Sequence, residues 1–473
     1  MKKDIKNIYR FPKVNRGVLK LLMLFTVVLA LSFLNSCKKL IAIEPSGSKL
    51  LTTSVFTDSV TTQSALAGMY NVFAPQSGAY RLTMSTLPGF SADELQYVGN
   101  SFDPFINNSI LSTEGSISSI WGNNYSAIYN ANAIIEGMAA SKNISVKFQN
   151  QAVAEARFIR AFCYFYLINL YGDVPLVLTT DINKNSTLGR TPTAEIYTQI
   201  IADLKFAQST LPADYSISGG TRTRINKWIA TAMLARVYLY NSDWVNAEAQ
   251  ATAVIGNTTL FSLQTDLTKV FTPGNTEAIW QLYNDNNGYT AYANTVLPGA
   301  VSRIPTYVLT PSLISAFEAG DTRKANWTNT LLYNGITYTY PYKYKSIVSG
   351  GNAEYYTMLR LAEQYLIRAE ARAQQNNITG AQADITTIRQ RAGLTATTAA
   401  TTTTLLAAIA QERRIEFNCE WGHRWFDLKR AGTVNAVIGA LKPTFWKPTA
   451  TLYPIPASQI TLNSSLTQNP GYN

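Results

Sequence analysis

The side chains able to do chemistry in this 473-residue chain fall into three groups. The first is a charged block, Gln411-Glu412-Arg413-Arg414-Ile415-Glu416, with the chain's single histidine, His423, just beyond it. Glu412 and Glu416 stand one helical turn apart, as an acid/base pair beside His423 would. General acid–base work needs groups of tuned pKa in a cleft. Here the charges lie on a helix bracketed by apolar residues, so the block reads as a structural ion network. One histidine excludes sites that need two, H-E-x-x-H included. Cys37, Cys163 and Cys419 form no C-x-x-C pair, which argues against a cysteine zinc site. No phosphate loop, G-x-S-x-G elbow or D-x-D-x-D-G calcium loop occurs. The expectation is a protein without catalysis, cofactor or metal.

The second group is aromatic. Gln76–Glu114 offers Tyr80, Asp93, Tyr97, Asn100 and Phe102, and Asn284–Ala353 offers Tyr289, Tyr292, Arg303 and Trp327. In the latter segment Tyr338, Tyr340, Tyr342 and Tyr344 alternate, which puts them on one face of an extended chain. Sugars present apolar C–H faces that stack on rings, and their hydroxyls need Asn, Asp and Arg partners; tyrosine adds its own polar handle. Both segments lack helical period. Long irregular stretches inside a folded domain are functional or disordered, and the aromatic content argues against disorder. The nine residues named are the expected ligand contacts.

The third group is one cysteine. Residues 1–36 hold seven bases and one acid, and Leu21 to Leu34 is an apolar run of fourteen. That suits a signal-peptide core and is short of the ~20 residues a spanning helix needs. Leu34-Asn35-Ser36-Cys37 follows and looks like a bacterial lipobox, with Cys37 the lipidated residue. Residues 1–36 are thus the expected lipoprotein signal peptide and 37–473 the mature domain, tethered through acyl chains alone. Cys163 and Cys419 lie in apolar helical patterns. A disulfide between them is allowed outside the cytoplasm, but two buried free thiols is the reading.

The elements that must position these groups are helical. From Gln151 to Tyr171, Phe158, Phe162 and Phe165 form one row and Ile159, Cys163 and Tyr166 another, a stripe wide enough for a largely buried helix. Gly172 and Pro175 stop it, and Pro192 opens a helix with Ile196, Ile200 and Leu204 in line. Trp228–Ile255 and Tyr355–Arg391 each read as helix, turn, helix. Ala235 with Ala247 and Ala369 with Ala381 recur at an offset of 134 residues, the small-residue pattern of tetratricopeptide helix pairs. A last long helix runs from Thr402 to about Glu420, with Gly422 as its C-cap. Composition agrees with a folded protein: 46% of residues are apolar and only 15% charged, against roughly 25% in typical soluble proteins. The net charge of +11 is concentrated in the first 36 residues, and no later basic block suits nucleic acid.

Four blocks in order carry a resemblance. They are Ala154-Glu155-Ala156-Arg157-Phe158 to Gly172-Asp173-Val174-Pro175; Arg360-Leu361-Ala362-Glu363 to Arg391-Ala392-Gly393; Glu412-Arg413-Arg414-Ile415-Glu416 with Gly422-His423-Arg424-Trp425-Phe426-Asp427-Leu428-Lys429-Arg430; and Pro454-Ile455-Pro456 with Asn469-Pro470-Gly471-Tyr472. The chain resembles the SusD/RagB family of outer-membrane nutrient-binding lipoproteins. The resemblance implies an all-α scaffold of tetratricopeptide-like helix pairs, with loop regions 76–114 and 284–353 packed over it as a ligand-binding face. It also implies an outer-membrane location, a SusC-type TonB-dependent transporter as partner, an oligosaccharide ligand and no enzyme activity. The alternative is a peptide-capturing or mainly transporter-docking protein. Lys38-Lys39 follow Cys37 where members exported to the surface often carry acids.

Overall fold

Val146–Tyr171 is the helix around which the others assemble. The computed structural model describes Gly17 and residues 55–75, 78–284, 288–300, 303–347 and 353–472. Of its two compact units, Met1–Ser54 and Val55–Asn473, everything below concerns the second. Cys37 and the expected signal peptide therefore lie outside the described residues, apart from Gly17.

The long helices are α1 (Ser59–Phe73), α2 (Gly115–Ala140), α3 (Val146–Tyr171), α4 (Thr193–Thr210), α5 (Lys227–Tyr240), α6 (Trp244–Ile255), α7 (Leu361–Gln374), α8 (Ile378–Arg391), α9 (Thr402–Glu416) and the shorter α10 (His423–Arg430). Each packs on its neighbour in sequence from α1 to α4, and α4 through α8 continue the series. α3 starts five residues before the expected Gln151, because Ser145 caps it by accepting from the Phe148 N–H. Both of its aromatic rows are buried completely, so it is a central helix rather than a surface one. Gly172, at φ 73°, ends it.

The two helix pairs match as the sequence suggests, except that the second starts at Leu361 and not at Tyr355, because Tyr356–Arg360 is a strand. Ala235, Ala247, Ala369 and Ala381 are all fully buried. The turns also repeat at the same offset. Ser242 and Asn376 take positive φ (57° and 61°). Asp243 and Asn377, the next residues, cap α6 and α8. Arg236 of α5 pairs with Glu363 of α7 at 2.6 Å and donates to the Tyr166 hydroxyl of α3 at 3.0 Å, tying three helices together inside the core.

Two expectations are corrected. α9 stops at Glu416, and Gly422 is the N-cap of α10 instead of the C-cap of α9. Between them Cys419 and Trp421 adopt positive φ (56° and 51°), which breaks the helix. The Trp421 backbone N–H is held by Ser85 Oγ and its indole N–H by the Thr357 carbonyl, both at 2.8 Å. A Cβ on Gly422 would meet Pro88 at 2.7 Å. The irregular segments and the residues flanking the second of them also contain strands that helical periodicity did not reveal. These are β1 (Leu95–Tyr97), β2 (Ala278–Leu282), β3 (Tyr307–Leu309), β4 (Thr328–Tyr333), β5 (Ile336–Pro341) and β6 (Tyr356–Arg360). They pair antiparallel as β1–β3, β2–β6 and β4–β5. Asn334-Gly335, both at positive φ (48° and 77°), turns the β4–β5 hairpin. Thus Tyr338 and Tyr340 do alternate on a strand, but Tyr344 leaves it and packs on Tyr292 and Tyr356. Cys163 and Cys419 are buried free thiols.

The charged block joins the irregular layer to the helices. Glu416 meets Arg360 at 2.5 Å and Arg323 at 2.9 Å, and also Arg391. Arg360 reaches Glu277 and Glu420, Lys343 meets Glu420, and Arg323 binds Glu412 and Asp321. All of these residues are buried except Arg391, whose side chain alone is buried. Burial alone would raise the Glu416 pKa, but Arg391, Arg360 and Arg323 hold it well below the usual range. His423 is buried in the same region, which keeps its imidazole neutral.

Candidate carbohydrate-binding face

The nine expected ligand residues separate into two groups in the structure. Tyr97, Asn100, Phe102, Tyr289 and Arg303 are partly or fully exposed; Tyr80, Asp93, Tyr292 and Trp327 are buried. The buried four are corrected to structural roles. Trp327 is 0% exposed, donates its indole N–H to the Leu267 carbonyl at 3.0 Å, and lies 4.6 Å under the Lys343 ammonium. Its ring shields the buried ion network. Tyr80 is 1% exposed, bonds Asn124 and packs on Phe73 and Phe162. Tyr292 packs between Tyr344 and Tyr356.

Asp93 is bound by Arg414 at 2.6 Å and Arg424 at 2.7 Å, so it fixes α9 and α10 beneath the irregular layer. Burial works to raise its pKa, yet the two arginines keep it below the usual value. Its neighbour Glu94 has no such partner. Burial, with the Asp93 charge, pushes the Glu94 carboxyl up to about 8, so it is largely protonated at neutral pH.

Above these carboxyls the exposed residues gather. β1 and β3 pair with Tyr97 opposite Tyr307, which brings two distant segments to one edge. The two rings meet edge-on at 5.3 Å. Phe102 lies 4.9 Å from Tyr97, also edge-on, and stacks on Phe90 at 5.0 Å. Phe90 in turn stacks on Tyr307 at 5.7 Å. Each ring is braced by others, so the cluster is preorganised. Asn100 sits on the turn between Tyr97 and Phe102 and is exposed; its carbonyl accepts from the Asp103 N–H. Arg303 is exposed four residues before Tyr307. Beside the cluster runs a groove of about 410 Å³, lined by Phe90, Leu95, Gln96, Asn107, Lys442 and Phe445 among others. The Lys442 ammonium is tied to the Phe90 and Ser91 carbonyls at 2.9 and 3.0 Å. Burial brings its pKa down to about 7.

Tyr289 does not join this cluster by any ring contact; its carbonyl accepts from the Asn284 amide. Nearby, Tyr283 is 54% exposed and meets Tyr355 edge-on at 5.5 Å. Tyr307, Phe90 and the Tyr283–Tyr355 pair are the residues that sequence reasoning missed. Phe90 stands beside Asp93 in a run that reads as ordinary core. Tyr307 precedes Val308-Leu309 and could have been found as a short strand. Among the described residues no cluster of His, Cys, Asp and Glu could hold a metal ion. An aromatic shelf with exposed polar side chains on its flanking turns suits stacking on a flat, hydroxylated ligand.

Comparison with known proteins bears on this face. A family model described as "SusD family" matches residues 291–472, and one described as "Starch-binding associating with outer membrane" matches 46–239. The chain belongs to the SusD/RagB family. SusD-like protein P2 of Formosa agariphila is 28% identical over 89% of this chain and 94% of its own length. The starch-binding protein SusD of Bacteroides thetaiotaomicron is 26% identical over 67% and 72%. Among solved structures, a SusD superfamily protein from Parabacteroides distasonis superposes with a TM-score of 0.76 at 21% identity, covering 90% of this chain and 100% of that one. A laminarin-binding SusD-like protein gives 0.74 at 23% identity, with 88% and 100% covered. These structures establish the SusD fold, a tetratricopeptide-like helical scaffold. Among the described residues no helix is long and apolar enough to cross a membrane.

Proposed function

We propose that this SusD-family protein binds oligosaccharides at the Tyr97–Phe102–Tyr307 shelf and delivers them to a SusC-type TonB-dependent transporter in the outer membrane. The carrying observation is the half-open aromatic cluster that β1–β3 pairing builds on the irregular layer. Tyr97 and Phe102 supply stacking surface; Asn100 and Arg303 supply hydrogen bonds to hydroxyls; Tyr289, partly exposed on the second loop region, is a separate candidate contact. Starch binding in the B. thetaiotaomicron relative and laminarin binding in the structural neighbour support a glycan ligand. Residues 1–36 act as the signal peptide, and lipidated Cys37 anchors residues 37–473 at the cell surface.

Affinity electrophoresis through gels containing starch, laminarin or other polysaccharides tests the binding. One class should retard the protein, and Tyr97→Ala should relieve that retardation. If no polysaccharide retards it, peptide capture or transporter docking takes the place of glycan binding. Palmitate labelling that survives Cys37→Ser would remove the anchor from the proposal.

A further inference from the structure

A second groove lies on α2, built from residues the shelf does not use. Trp121, Tyr125 and Tyr129 follow one another at four-residue spacing, so they form a row along one face of the helix. Their exposure rises in steps. Trp121 is buried, Tyr125 is half-buried and Tyr129 is 54% exposed. Trp121 and Tyr125 meet at 4.9 Å with their planes tilted by 38°. The Tyr125 hydroxyl donates to the Pro175 carbonyl at 2.8 Å, and its ring stands edge-on to Tyr164. That ring is therefore fixed before any ligand arrives, which lowers the entropy cost of binding.

The groove beside this row has a volume of about 610 Å³, within the range of small-molecule sites. Its far wall comes from the C-terminal helix Ala457–Leu462 and from the turn that ends the short helix Ile182–Asn185. No charged side chain lines it; the polar lining is amide and hydroxyl. The side chains of Ser126, Ser186 and Gln459 make no hydrogen bond to the other described residues, and Asn130 uses only its NH2, donating to the Ser126 carbonyl at 2.8 Å. Aromatic steps with uncommitted neutral donors and acceptors fit a ligand with apolar faces and many hydroxyls. A phosphate, sulfate or carboxylate ligand would find no cation in the lining. Protein docking is the competing use of an exposed Tyr129 and Leu462, but an apolar partner surface would leave the Ser126, Ser186 and Gln459 side chains unpaired, whereas sugar hydroxyls would satisfy them.

We infer that this groove is a second binding subsite, for a neutral oligosaccharide, separate from the Tyr97 shelf. Two weak sites on one protein would hold a long polysaccharide far better than a short fragment, because the second contact is intramolecular.

Hydrogen-exchange mass spectrometry of the full-length protein tests this, in a detergent without a sugar headgroup, with maltoheptaose and laminarihexaose as probes. The expected result with at least one probe is slowed exchange in 121–130 and 457–463 as well as in 95–107. Tyr129→Ala should abolish protection at 121–130, leave 95–107 protected, and weaken gel retardation by the matching polysaccharide at least fivefold. Tyr129→Phe should keep the protection, since the ring remains. Protection confined to 95–107, or absent everywhere with both probes, overturns the inference. So does Tyr129→Ala that leaves sugar protection intact while releasing a co-purifying membrane protein.

Discussion

Tyr97 and Trp327 come from irregular segments of similar composition, and each meets other rings within 6 Å. Their surroundings decide opposite roles. Trp327 closes over Lys343 and the Arg360 guanidinium, and a ring placed there keeps water from a buried ion network. Tyr97 meets Phe102 and Tyr307 edge-on and is only partly buried, so one side stays open. A ring in direct contact with buried cations marks the joint between the layers; rings that meet other rings and keep an open side mark the face. Aromatic content alone does not separate the two.

That contrast can be broken first at Glu416. Glu416→Ala leaves Arg360, Arg391 and Arg323 facing one another in the core, a loss of about 3–5 kcal/mol. Chemical denaturation should show it, or the variant should fail to fold. Acid acts on the same pairs. The depressed Glu416 pKa means that its stabilisation is present above the unfolded carboxylate range and disappears as pH falls through the folded value. Trp327→Ala should cost a further case of about 3–5 kcal/mol in thermal or urea unfolding. Whatever folds should still bind sugar with unchanged affinity. Weakened binding by a fully folded Trp327→Ala protein would return that residue to the ligand face.

Glu94 sharpens the comparison from below the shelf. Its raised pKa means that the folded state keeps a proton which the unfolded chain releases. Stability therefore falls as pH rises from about 4.5 to about 8 and levels off beyond that. Glu94→Gln should flatten the melting temperature over that interval, a gain of a few kcal/mol at most at the alkaline end. An unchanged pH profile would mean that the carboxyl is already ionised. Tyr97→Ala should have the smallest effect on folding, about 1 kcal/mol. Calorimetry should show a roughly tenfold loss of oligosaccharide affinity, equivalent to about 1.4 kcal/mol.

The helices were legible because their periodicity comes from burial against neighbours. The paired alanines at 235, 247, 369 and 381 announced both the hairpins and their common offset. The capping residues Asp243 and Asn377 even share it. The irregular layer was legible only in outline. Its strands are three to six residues long, too short for alternation to stand out, although Asn334-Gly335 was a visible hairpin signal. The site was half legible. Ring-rich segments could be located, but which rings face out depends on partners far away in sequence, such as Leu267 at the Trp327 indole or Tyr307 beside Tyr97.

The β1–β3 edge is held by contacts that span great lengths of chain. The Thr310 hydroxyl donates to the Asp93 carbonyl across 217 residues, Arg414 reaches Asp93 across 321, and Ser91 meets Tyr453 across 362. Such contacts form only after the loop-closure entropy between them has been overcome. The aromatic shelf is thus expected among the last features to assemble, and a chain cut before Arg414 would lack the Arg414–Asp93 and Tyr453–Ser91 contacts that brace it. Sugar binding would then report complete folding, and a newly made molecule would stay blind to its ligand until its final residues are in place.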